Sequence, residues 1–160
     1  MSLLRHIRIG LTAGLAGAAA MHVLRLGWEA VVSSNSRHTI FGFDHEADVN
    51  SARLLSSQFL SNRELDERSA AHLGLTMHYA FGAALGIAYS LAWPRKNSAL
   101  SFGAMIWLCA DEIPITVTGI SDPFAKSAAS HGSALAAHFV FASVTDSVMR
   151  VLQTERSTSR

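Results

Sequence analysis

Polar residues are unevenly distributed along this chain, and four long apolar stretches stand between them. These stretches cover about residues 9–33, 71–93, 98–120 and 130–151. A transmembrane helix needs about 20 mostly apolar residues, and the segment from Ser69 to Pro94 contains no Asp, Glu, Lys or Arg. The pattern predicts an all-α fold: an integral membrane four-helix bundle over residues 1–152, followed by a polar tail over 153–160.

Composition supports the membrane assignment. The chain is 49% apolar and only 16% charged, whereas soluble domains carry about 25% charged residues. Arg25 interrupts the first span, and Asp111 and Glu112 interrupt the third, so a buried soluble helical bundle is the alternative. The single Cys109 excludes an intrachain disulfide framework. The net charge of +1 gives no indication of a nucleic-acid partner.

Basic residues predict the orientation of the spans. They precede span one, join spans two and three, and end the chain: Arg5, Arg8, Arg95, Lys96, Arg150, Arg156 and Arg160. The positive-inside rule therefore places both termini in the cytoplasm and the loop over 34–70 outside. We interpret the N-terminus, which has the pattern of a signal peptide, as an uncleaved first span. Within the loop, residues 46–60 predict an amphipathic helix at the interface. A second helix is expected from Asn62, running directly into span two.

The polar residues inside the spans form a predicted layer. If the four spans cross alternately, eight ionisable side chains lie in the outer half of the bilayer: His22, Arg25, Glu29, His78, Asp111, Glu112, His131 and His138. Ionisable groups are costly in hydrocarbon and usually face a bundle interior, a partner or a cavity. The layer is therefore where we expect the protein to act.

Small residues predict how the helices pack. Gly10 and Gly14 form one Gly-x-x-x-Gly pair, while Gly74, Gly82 and Gly86 share one stripe of span two. Such residues let membrane helices approach closely. Pro114, which has no backbone N–H, is expected to kink or break span three one turn after Asp111.

Four functions are compatible with the polar layer. The first is a structural network in which Arg25 neutralises a carboxylate and fixes helix register. The second is a metal or haem site, with ligands drawn from His22, His78, Glu112 and His138. The third is a pathway for protons or a solute beside the helix broken at Pro114. The fourth is an enzyme, although no Gly-x-Ser-x-Gly motif, phosphate loop or Cys-His pairing occurs.

The order of several short motifs resembles a known family. They are His78-Tyr79, Gly86, Tyr89, Gly103, Trp107, Glu112-Ile113-Pro114, Gly119, His138-Phe139-Val140 and Arg150, with Gly10, Gly14, Gly17 and Glu29 in span one. This order resembles the YagU-like family of bacterial inner-membrane proteins over about three-quarters of the chain. The family tends to carry a histidine where Asp111-Glu112 stand here, and its following loop is longer. The resemblance implies a multi-pass protein of the bacterial inner membrane and transfers no catalytic residue.

The expected function is that of a small, non-enzymatic membrane protein. Its polar layer would serve structure or binding, either in a homo-oligomer or in an accessory subunit that packs against other membrane subunits. A partner would pack on the glycine stripe of span two, unless the monomer itself uses that stripe. The alternative is a metal-binding, haem-binding or proton-conducting bundle.

Overall fold

The computed structural model describes residues 2–33, 66–93, 98–112 and 128–154, except the side chains of 28–33, 67, 110–112 and 128–130. Every element in this part of the chain is helical, which confirms the predicted all-α fold there. The helices are α1 Leu3–Ser33, α2 Glu67–Ala92, α3 Ala99–Ile106 and α4 Ala128–Thr154, and a π-helical segment, Trp107–Glu112, follows α3. The expected amphipathic helix over 46–60 and Pro114 lie outside the described residues.

The start of α2 corrects one sequence expectation. Asp66 has an extended backbone (φ −61°, ψ 159°) and acts as the N-cap, so α2 begins at Glu67. A helix from Asn62 running without a break into span two is therefore wrong. The Asp66 carboxylate accepts a hydrogen bond from the Ser69 amide at 2.7 Å, which satisfies one of the free donors of the first turn. This bond lowers the pKa of Asp66.

Helix α1 occupies the centre of the described structure, packing against α2 on one side and α4 on another. Its contact with α2 is made by glycine backbones. A Cβ added to Gly10 would lie 2.6 Å from the carbonyl oxygen of Gly86, and one added to Gly14 would collide with the carbonyl oxygen of Gly82. Because Gly10 is opposite Gly86 and Gly14 is opposite Gly82, the two helices are antiparallel. Gly82 and Gly86 of the glycine stripe in span two are thus covered by α1.

Helix α4 contacts α1 and α3 through two further glycines. A Cβ on Gly17 of α1 would lie 2.8 Å from the carbonyl oxygen of Phe141, and Thr145 is also in contact there. A Cβ on Gly103 of α3 would lie 2.8 Å from the carbonyl oxygen of His138. No larger side chain fits at either glycine without separating the helices.

The placement of small and large apolar side chains is the reverse of that in a soluble bundle. Six of the buried apolar residues are alanines, whereas many large apolar side chains point outward. The outward set includes Leu3, Leu4, Leu11, Leu15, Val23, Leu26, Leu75, Phe81, Leu91, Leu100, Met105, Leu108 and Val151. An apolar exterior over small-residue helix contacts is typical of packing in lipid.

Two segments of the described helices are long and apolar enough to cross a membrane. They are Leu3–Gly27 and His131–Thr154, and 33% of the residues in each apolar window are buried. A core helix of a soluble protein passes the same test of length and composition but is mostly buried, and a signal sequence near the N-terminus passes it too. Ala99–Cys109 is a shorter apolar helix.

Candidate functional site

The predicted polar layer contains a cluster of two imidazoles and a phenol between α1 and α2. The ring centroids of His22 and His78 are 6.3 Å apart, and those of His78 and Tyr79 are 5.5 Å apart in an edge-to-face arrangement. His78 also donates a hydrogen bond from Nε2 to the carbonyl oxygen of Ala18 at 3.2 Å. This bond joins the second helix to the backbone of the first.

Glycine packing brings His78 to that carbonyl. His78 lies one turn before Gly82 and therefore on the face of α2 that contacts α1. Gly82 itself allows α1 and α2 to approach closely, since a Cβ at this position would lie only 2.7 Å from the Cβ of Ala18. A polar side chain that finds a backbone acceptor avoids the cost of an unsatisfied donor in an apolar environment. The imidazole therefore stabilises this helix pair.

His138 lies at a different helix contact from His78. It is 7% exposed, and its Nδ1 donates to the carbonyl oxygen of Ala134 in the preceding turn of α4. The contact of Gly17 with Phe141 and Thr145 sets the register of α1 on α4, which puts His138 near the level of His22. The contact of Gly103 with His138 then places the backbone of Asp111 about 10 Å further along, towards the level of His131.

The other members of the predicted layer lie on α1, on α4 and on the π-helical segment. Arg25 and His131 are half-buried and both interact with other groups of the protein. Glu29 lies on α1, and Asp111 and Glu112 lie on the π-helical segment, but their side chains are outside the described part. π-helical turns are frequent at functional sites, and this one stands where the sequence predicts that Pro114 disturbs span three.

The described side chains of the layer do not form a metal-binding cluster. Among them, no group of three or more His, Cys, Asp or Glu residues is close enough together to hold a metal ion. His22 and His78 are neighbours, whereas His138 is at the contact between α3 and α4. The candidate ligand Glu112 is not among the described side chains.

A second polar cluster lies at the opposite end of the bundle, where α2 and α4 end and α1 begins. The hydroxyl of Tyr89 donates to Asp146 Oδ1 at 2.9 Å, and Nε of Arg150 donates to Asp146 Oδ2 at 2.7 Å. The pair of Asp146 and Arg150, four residues apart, is the contact that their spacing predicts. The tyrosine makes Asp146 a bridge between α2 and α4.

Aromatic rings hold Tyr89 in position. The rings of Tyr89 and Phe102 have centroids 4.6 Å apart, and Trp93 and Phe102 are 5.1 Å apart. Phe102 belongs to α3 and is buried, so the cluster joins α2 to α3 beside the carboxylate bridge. Edge and offset contacts at these distances are favourable for aromatic pairs.

A cleft of about 240 Å³ opens beside this bridge. Its walls come from the first turns of α1 and the last turns of α2 and α4: His6, Tyr89, Ser90, Trp93, Asp146, Met149, Arg150 and Gln153. The four-residue spacing of Asp146 and Arg150 predicts their pair, but nothing in the sequence predicted the cleft. Tyr89 is distant from both in the chain, and no spacing rule connects them.

Comparisons with known proteins provide no family for the chain. No family model, curated protein or solved structure matches it. The resemblance to the YagU-like family therefore remains an expectation from short motifs.

Proposed function

We propose that this protein is a small, non-enzymatic integral membrane protein with four spans, acting as a structural or accessory component of a membrane assembly. The observation that carries the proposal is the inverted packing: glycine and alanine form the helix contacts, while leucine, valine and phenylalanine cover the exterior. In water, apolar patches of that extent are rare on a monomer. In a bilayer they are solvated by lipid chains.

The helix directions are compatible with this topology. Helices α1 and α2 are antiparallel, and the 31 residues of α1 extend over roughly 46 Å, which is more than the ~30 Å of the hydrocarbon core. In our proposal α3 and the residues after it form the third span. Both termini lie in the cytoplasm, in accord with the basic residues Arg5, Arg8 and Arg150 at that end.

The polar layer has a structural role in this proposal. His78 hydrogen-bonds to α1, and His138 hydrogen-bonds within α4, so each donor finds an acceptor inside the bundle. We infer that the large apolar faces on the outside then contact lipid, a second copy of the chain or another membrane subunit. No catalytic group is required.

Membrane fractionation with topology mapping tests the proposal. The full chain, carrying a C-terminal reporter that is active only in the cytoplasm, should remain in the membrane pellet after alkaline carbonate extraction and should show reporter activity. In mild detergent it should migrate above the mass of a monomer on a native gel. Recovery as a monomer in the soluble fraction would contradict the proposal.

A second candidate function is metal or haem binding, which the neighbouring rings of His22 and His78 favour. Imidazole nitrogens are ligands for iron, copper and zinc. Optical spectroscopy and metal analysis of the detergent-purified protein decide this alternative. A Soret band or a stoichiometric transition metal that is lost in a His78→Phe variant would establish it, and a colourless, metal-free protein would exclude it.

A further inference from the structure

We draw no further inference here: the strongest candidate, the exposed face of α2 on which Thr76, Ala80, Ala84 and Ala88 recur every four residues, is a stripe of small side chains, and nothing in the described part of the structure shows what covers it.

Discussion

At the scale of single residues, Asp146 is a polar group that joins two helices, α2 and α4. Its carboxylate accepts from Tyr89 on α2 and from Arg150 on its own helix, and the ring of Tyr89 packs on Phe102 of α3. Hydrogen bonds to charged groups are stronger than those between neutral groups. The phenol hydroxyl should therefore contribute measurably to the packing of α2 on α4.

Replacing that hydroxyl gives the first prediction. Tyr89→Phe keeps the ring contact with Phe102 and removes the hydrogen bond, so the free energy of unfolding in detergent should fall by roughly 0.5–2 kcal/mol. The control is Ser147→Ala, which removes an exposed hydroxyl bonded only to the Ser143 carbonyl of its own helix. A Tyr89→Phe variant as stable as Ser147→Ala would show that the bridge does not hold the helices together.

At the scale of elements, the glycines show why the sequence predicted helix pairing only in part. The two Gly-x-x-x-Gly pairs predicted that helices approach closely. Glycines four residues apart do not indicate, however, which helix packs on them. The structure pairs Gly10 and Gly14 with Gly86 and Gly82. That choice depends on contacts between distant parts of the chain, as does the separation of His138 from His78.

The second prediction concerns this glycine contact. In Gly14→Ala the new methyl group would meet the carbonyl of Gly82 and, at 2.9 Å, the Cα of Gly86. Backbone cannot move aside as a flexible side chain can, so α1 and α2 must separate. The free energy of unfolding should fall by about 1–3 kcal/mol, as for an overpacked core.

Gly27 of the same helix provides the matched control for this change. A Cβ at Gly27 meets nothing within 4 Å, so Gly27→Ala should leave stability unchanged or raise it by up to about 1 kcal/mol through helix propensity. Urea or SDS titration of both variants measures the difference. Equal effects at the two glycines would rule out the backbone contact between α1 and α2.

The third prediction concerns the N-cap of α2. The Ser69 amide stabilises the ionised carboxylate of Asp66 and lowers its pKa, so the cap stabilises α2 fully above the unfolded value of about 3.9. That stabilisation is lost as the pH falls through the lower pKa of the folded state. The Ser69 amide resonance should therefore titrate below pH 3.9 in the wild type.

An asparagine at this position separates the cap from its charge. Asp66→Asn retains a side-chain acceptor for the Ser69 amide but does not ionise, so the acid titration of that resonance should disappear while the helix still begins at Glu67. A titration at or above pH 3.9 in the wild type would contradict the stabilised carboxylate.

At the scale of the whole molecule, composition and periodicity were sufficient to predict an all-α fold, whereas the cleft could not be predicted from the sequence. Hydrophobic periodicity is a local property, and it predicts helices without reference to their neighbours. The cleft arises where three helix ends meet, and its members extend from His6 to Gln153. Only the antiparallel packing of α1 on α2 and α4 brings them together.

The last prediction follows from the apolar exterior. In a Cys109→Ser background, nitroxide labels at Leu15 of α1 and Phe81 of α2 occupy exposed positions on the bundle, and a label at Thr154 occupies the exposed end of α4. In liposomes, the first two labels should be relaxed more by oxygen, which partitions into lipid, than by a polar nickel complex. Thr154 should show the reverse preference. If the exterior faced water, all three labels would respond more strongly to nickel, and the inverted packing would then require burial against another protein.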